Sequence, residues 1–435
     1  MTRPAVNRPS RERLEACLAR IEEPAGEGSR AFTKIYLEQA RAAADAADRR
    51  AQFGQSLGQL DGRIISIKDL FDIPGEATTA GSKLLRHAEP ATIEAPAIKR
   101  LRQAGAVIIG KTNMTEFAFS GVGINPHYGT PGNPADRSRI PGGSSAGGAV
   151  SVADGMAEIT IGSDTGGSTR IPAALCGIVG FKPSQYRIPT AGAFPLSYAL
   201  DSIGPMARSV SDCALADAVM AGESPGDLAP VPLAGLRLGI PQGLLMENTE
   251  APVTAAFDTA IRTLTSRGAV VTDHMLPQLA EMLAVNAKGG FAATEAYFIH
   301  RDSLDQRPHD FDQLVRGRIE RGKTVSAADY IFMQRRRADL IAAMDQHLAD
   351  LDALILPTTP LTAPKIADLA DESAFTAANA LLLRNTSVAN FFDLCAISLP
   401  LPVAGLPVGM MLIARNGHDK KLLRLAAAIE SALSI

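Results

Sequence analysis

The sequence contains no tryptophan, and aromatic residues fill only 5% of its 435 positions. A hydrophobic content of 46% still supports a sizeable core. Without large rings, such a core has to close through small and aliphatic side chains at short backbone separations. Cysteine is scarce as well. Cys17, Cys176, Cys213 and Cys395 form no C-x-x-C pair and lie in apolar runs, which argues against a disulfide scaffold and reads as buried free thiols in a reducing compartment. No run of about 18 uncharged apolar residues occurs outside the Gly-rich segments, so no membrane span is expected. The N-terminal MTRPAVNRPSRER has no apolar secretion segment, and a cytoplasmic location is expected. Charge is nearly balanced, 43 Lys and Arg against 46 Asp and Glu, and offers no large basic face for nucleic acid. Arg100 with Arg102 and Arg335-Arg336-Arg337 read as solvated helix faces. The seven histidines (His87, His127, His274, His300, His309, His347 and His418) show no metal-ligand spacing, so neither a metal nor a histidine base is expected.

Along the chain, Leu14, Cys17, Leu18 and Ile21 follow helical spacing over residues 10–22. Residues 31–53 read as one Ala-rich helix, so residues 1–60 are expected to form an N-terminal helical layer. The pattern changes at Asp61-Gly62. Residues 63–67 form a short β-branched strand leading into Lys68, residues 95–104 a helix, and residues 106–109 a buried strand. This βαβ alternation predicts an α/β fold, a large mixed β-sheet flanked by helices. Further strands are expected at 236–240, 269–272, 354–357 and 396–399. Helices are expected at 251–268 and 419–433, with a long helical stretch over 280–350. The whole of 61–435 reads as one compact domain.

Two matches to familiar motifs fail on context. Gly105–Thr112 fits the phosphate-loop pattern G-x-x-x-x-G-K-[ST], but its x residues are Ala-Val-Ile-Ile, which is itself the strand. Gly143–Gly147 fits G-x-S-x-G, but Ile140-Pro141-Gly142 is a poor strand end for a nucleophile elbow. What remains is a Gly/Ser-dense centre, about 130–205, with two serine loops: Pro141–Gly148 and Asp164–Arg170. Between them Ala146–Ala153 reads as a small-residue helix and Ala157–Ile161 as a strand, which brings the loop tips side by side. Ala174–Phe181 reads as strand-like and core-like. Gly166 and Gly167 allow successive N–H groups to converge on one point, as an oxyanion requires.

Ser66-Ile67-Lys68-Asp69, Gly110–Met114, Pro141–Ser145, Asp164–Ser168, Gly177–Pro183 and Asp201–Pro205, in this order, resemble the amidase signature family. The resemblance covers most of residues 61–215 and continues more loosely to the C-terminus. It implies the amidase signature fold and an amide hydrolase with a Ser-Ser-Lys triad. Ser168 would be the nucleophile that forms an acyl-enzyme, Ser144 a bridging serine behind a cis peptide from Gly143, and Lys68 the base. The backbone of Thr165, Gly166, Gly167 and Ser168 would form the oxyanion hole. A serine needs an adjacent base, and lysine serves as one only when burial keeps it neutral. Ala146 replaces a glycine of many relatives, two residues beyond Ser144.

By the same resemblance, Phe119 and Ser120 are substrate-binding candidates, along with Phe117; core packing is the competing role for both phenylalanines. Arg170, two residues past Ser168, is a candidate to orient the pocket or meet an acidic substrate, with a structural ion pair to Asp164 or Asp201 as the competing role. Segment 284–340 is similar to bacterial hydrolases of small ureido amides such as carboxybiuret and allophanate hydrolases, and is where substrate selection is expected. The implied substrate is a small carboxamide or ureido compound, with no cofactor, no nucleic acid and no membrane; a homodimer is left open. The alternative is the A-type glutaminase subunit of a tRNA-dependent amidotransferase. Ala191–Ser197 resembles stand-alone bacterial amidases instead, and Tyr186–Thr190 departs from the pattern of that glutaminase.

Overall fold

The computed structural model describes residues 8–434. Its strands are β1 (Phe32–Ile35), β2 (Ile64–Lys68), β3 (Val107–Thr112), β4 (Ile159–Asp164), β5 (Val179–Lys182), β6 (Ser202–Ala207), β7 (Arg237–Pro241), β8 (Val270–His274), β9 (Ala353–Pro357), β10 (Cys395–Pro400) and β11 (Gly409–Ala414). Its helices are α1 (Ser10–Glu22), α2 (Gly28–Ala31), α3 (Leu37–Gln52), α4 (Pro96–Gln103), α5 (Ala146–Ala153), α6 (Arg170–Cys176), α7 (Val210–Ala221), α8 (Ala251–Ser266), α9 (Gln278–Asn286), α10 (Gly290–Gln306), α11 (Gln313–Glu320), α12 (Ala327–His347), α13 (Glu372–Phe391) and α14 (Asp419–Ala432). All eleven strands join one mixed sheet in the order β1-β3-β2-β4-β6-β5-β10-β11-β9-β7-β8. β2 runs parallel to β3 and β4, and β7 runs parallel to β8 and β9. Antiparallel pairings from β4 through to β9 join these two parallel groups. This is the mixed sheet flanked by helices that the sequence predicts.

The pleat sorts the core. Ile64, Val107 and Ile109 pack with Leu14 and Leu18 of α1, Ala40 and Ala44 of α3, and Val150 of α5. The alternate positions Ile65, Ile67, Ile108, Ile159 and Ile161 pack on the other face with α4, α7 and α14. Strands buried on both faces read as continuous apolar runs, as β2 and β3 do. Each fully buried isoleucine contributes roughly 1.5–3 kcal/mol. Period two also aims the polar positions of β2. Ser66 Oγ lies 3.0 Å from Ser151 Oγ of α5, so Lys68, two residues on, faces the side that α5 covers.

Several elements differ from the sequence reading. Residues 31–53 are not one helix. Phe32–Ile35 alternate in exposure and pair with β3 as the sheet's edge strand, and the helix starts only at Leu37. The N-terminal layer therefore also contributes to the sheet. Residues 280–350 hold separate helices, interrupted at Gly289, by Pro308 after Arg307, and over Arg321–Thr324. Ala174–Cys176 end α6, and the strand begins only at Val179. β6, β11, α7 and α13 were not read. β6 carries Gly204 and Pro205 in its interior, and both disguise a strand. Gly110-Lys111-Thr112 lies in β3 rather than in a loop. No strand runs directly into Ser144. All four cysteines are buried and free.

Candidate active site

Lys68 ends β2, on the face covered by α5, and is fully buried. Its Nζ donates to Ser144 Oγ at 2.7 Å and to Ser163 Oγ, on β4, at 2.8 Å. No carboxylate lies within ion-pair distance of it among the described residues. Burial brings the amine down to about 7, against the opposing fields of Asp164 and Asp201. A lysine whose charged form is disfavoured by burial to this extent can take a proton from the hydroxyl it touches.

Ser144 follows a cis peptide from Gly143. Both flanks of that bond are held by one segment: Thr115 N–H donates to Ser144 O at 3.0 Å, and Gly143 N–H donates to Gly121 O at 2.8 Å. The segment between them, with a 3₁₀ turn at Glu116–Ala118, is thereby pressed against the serine loop. It carries Phe117, Phe119 and Ser120, all buried.

The second loop runs from β4 into α6. Ser168 is 3% exposed, and its hydroxyl makes no hydrogen bond to a described residue. Its carbonyl accepts from Ser145 N–H at 3.3 Å, which ties the two loops together. The N–H groups of Gly166, Gly167 and Ser168 meet no protein acceptor among the described residues. Three successive free amides in a buried turn are a ready site for negative charge. Gly167 has φ +139°, and a Cβ there would stand 2.2 Å from Thr386 Oγ1. Only glycine fits. Thr386 in turn donates to Gly166 O at 2.6 Å.

Arg170 is fully buried. It donates to both oxygens of Asp164, at 2.8 and 3.0 Å, to Thr386 O and to Asn390 Oδ1. Burial alone would raise the Asp164 carboxyl, but Arg170 and then Lys182 hold it well below the usual range. Arg170 is thus in an ion pair with Asp164, one of its expected partners. Phe117 packs on Phe194, His300 and Phe311, the core-packing alternative. Ser120 Oγ donates to Asn379 Oδ1 at 3.2 Å, and Gly121 N–H donates to the same oxygen at 2.9 Å.

Phe119 carries a feature the sequence reading missed. The Arg318 guanidinium, on α11, stacks over its ring at 4.7 Å. Arg318 is partly buried, its Nε has no acceptor, and it forms no ion pair among the described residues. Burial and the nearby Arg321 bring it down to about 10, so it stays charged at neutral pH. Helix α13 was missed too. It braces the Ser120–Gly121 segment and the second serine loop through Asn379, Thr386 and Asn390, spaced as one helix face. Among the described residues no cluster of side chains could hold a metal ion, and no helix is long and apolar enough to cross a membrane.

Comparison with known proteins identifies the family. The family model described as Amidase matches residues 12–423. The chain is 36% identical over 405 residues to a 2-amino-5-chloromuconic acid deaminase of Comamonas testosteroni, covering 91% of this chain and 86% of that protein. It is 36% identical over 419 residues to AtzE, a 1-carboxybiuret hydrolase component of Pseudomonas sp. (strain ADP), covering 92% and 90%. Among solved structures it superposes on a glutamyl-tRNA(Gln) amidotransferase component of Thermotoga maritima with a TM-score of 0.78 at 28% identity, covering 97% of this chain and 91% of that one. A match running nearly end to end, over motifs that converge on one buried lysine and one turn of free amides, makes this chain a member of the amidase signature family and an enzyme that hydrolyses carbon–nitrogen bonds.

Proposed function

We propose that the enzyme cleaves the carboxamide or ureido C–N bond of a small substrate bearing a carboxylate, through an acyl-enzyme on Ser168. The observation that carries this reading is the buried Lys68 amine, hydrogen-bonded to Ser144 at 2.7 Å, behind a turn of three free amides. Ser168 Oγ attacks the carbonyl carbon while its proton passes to Ser144, and the Ser144 proton passes to Lys68. The oxyanion that forms is held by the amides of the Thr165–Ser168 turn. When the C–N bond breaks, the proton returns through Ser144 to the leaving nitrogen, releasing ammonia or an amine. Water then enters by the reverse relay and frees the acid. No step calls for a cofactor or metal.

The carboxylate rests on Arg318. A partly buried guanidinium with no anion, stacked on the segment that clamps Ser144, is suited to bidentate recognition of an acid. Two relatives act, by name, on carboxylic acids, 2-amino-5-chloromuconic acid and 1-carboxybiuret. Similarity to a component of a tRNA-dependent amidotransferase supports a second reading, a glutaminase that works within a complex.

The test is ammonia release by the purified chain alone. The panel is acetamide, an aryl amide, glutamine, succinamate and carboxylated ureas, each run beside Ser168→Ala. Release from the acidic amides, lost in Ser168→Ala, is expected. Release that persists in Ser168→Ala overturns the mechanism. Activity on glutamine alone, and only with added partner proteins, favours the second reading.

A further inference from the structure

Asp201 precedes β6 and belongs to none of the roles above. Its Oδ1 accepts from Thr165 Oγ1 at 2.5 Å, the side chain at the start of the turn of free amides. Its Oδ2 accepts from the N–H groups of Leu196 at 2.9 Å and Ser197 at 3.1 Å. The Ser197 hydroxyl donates to Glu295 of α10, which also accepts from Ala199 N–H at 3.2 Å and from the Tyr330 hydroxyl of α12. Glu295 is 5% exposed, with both oxygens engaged. One continuous chain of hydrogen bonds, Thr165–Asp201–Ser197–Glu295–Tyr330, therefore joins the turn of free amides to the helices of segment 284–340.

We propose that Asp201 is a positioning residue that fixes the turn of free amides through Thr165 and, by way of Ser197 and Glu295, couples that turn to the helices that select the substrate. The proposal rests on reading Gly166–Ser168 as the oxyanion hole. An oxyanion hole works only if its donors already stand where charge develops, so a tether outside the turn is mechanistically significant. The charged groups facing Asp201 are Lys68 from β2 and Glu295 from α10, with Asp164 of β4 acting on the same lysine. Burial pushes the Asp201 carboxyl up to about 6, against the hydrogen bonds from Thr165, Ser197 and Leu196; Glu295 adds to the rise. Charged Asp201 in turn favours the protonated form of Lys68.

The test uses the full chain with p-nitrophenyl acetate as the acylating probe. In Asp201→Asn the side-chain carbonyl can still accept from Leu196 and Ser197, which keeps the fold, but the NH2 that replaces Oδ1 cannot accept from the Thr165 hydroxyl, so the charged tether to the turn is lost. We expect the turnover rate to fall about tenfold or more. The midpoint of its pH profile should also move to lower pH, because Lys68 loses a neighbouring negative charge. Thr165→Val should lose rate without that downward shift, and Thr165→Ser should recover it. A carboxylate that served the fold alone would leave rate and midpoint as in the parent. That outcome in Asp201→Asn, or full activity in Thr165→Val, overturns the proposal. Ser168→Ala separates the two levels: probe turnover that survives it defeats the Ser168 acyl-enzyme on which the oxyanion-hole reading depends, whatever Asp201→Asn does.

Discussion

Arg170 is fully and Arg318 partly withdrawn from bulk water, and the two regions that hold them treat the charge differently. At the ends of the interior strands β4 and β5, Arg170 has Asp164, Asn390 and Thr386 around it, and nearby Lys182 donates to two carbonyls, Pro183 O and Leu394 O. In the helical layer, Arg318 has one aromatic ring and no acceptor, and His300, 3% exposed among Phe117, Phe194 and Phe311, has no partner at Nε2. Buried polar groups are normally satisfied. Full satisfaction beside the serine loops fixes geometry. Its absence over the Phe117–Phe119 turn leaves groups able to bind what the protein does not supply. Lys68 stands between these cases, with two hydroxyls and no counter-charge.

The comparison is tested most severely at Lys68. Lys68→Met keeps the shape and removes the amine. If the lysine is the base, amide hydrolysis should fall by roughly 10⁴-fold or more. Stability in a denaturant titration should hold or increase, since a desolvated amine without a carboxylate partner contributes little to the fold. Loss of activity with unfolding would make Lys68 a structural residue.

Arg170 should show the reverse. Arg170→Met leaves Asp164 buried and uncompensated, at a cost of about 3–5 kcal/mol. The denaturation midpoint reads this directly. Activity should fall as the turn around Ser168 loosens, and an unchanged midpoint would remove the contrast with Arg318.

Arg318→Gln carries the next largest effect. Stability should stay within about 0.5 kcal/mol, as at other substitutions that break no buried pair. KM for acidic amides should rise about 10- to 100-fold, with KM for uncharged amides unchanged, a change equal to one lost charge-assisted contact. Equal losses for both substrate classes would assign Arg318 to the fold.

The saturated region was the legible one. Lys68, Ser144 and the Gly166-Gly167-Ser168 turn stand in short segments whose local chemistry is readable: a β-branched strand, a small-residue helix, and glycines where side chains cannot go. The partners that complete them are distant in the chain. Thr386 and Asn390 are more than 200 residues from the loop they brace, on a helix with no clean apolar stripe. Arg170 was seen, but its choice between substrate and ion pair depended on which carboxylate the fold brought near. Arg318 sat in a helical stretch whose breaks were not resolved, and an unpaired charge cannot be recognised until every neighbour is placed. β1 was hidden because four alternating residues fell between helical patterns on either side.

The smallest expected effect concerns the second acceptor of Lys68. A base that works when neutral gives a rate that rises with pH through about 7 and then levels; below that midpoint each pH unit removes about tenfold. Ser163 Oγ accepts from Nζ at 2.8 Å, and hydrogen bonds to an ammonium are stronger than those to a neutral amine by about 1 kcal/mol. Ser163→Ala should therefore disfavour the charged form and lower the midpoint by about 0.5–1 pH unit, while the plateau drops only a few-fold because Ser144 still holds the amine. At pH 6 the variant should thus retain a larger share of its own plateau than the parent does. A midpoint moved upward would mean that Ser163 donates to the lone pair of the neutral amine, so that its hydroxyl serves the working form of the base and the half-satisfied state of Lys68 is tuned from both sides.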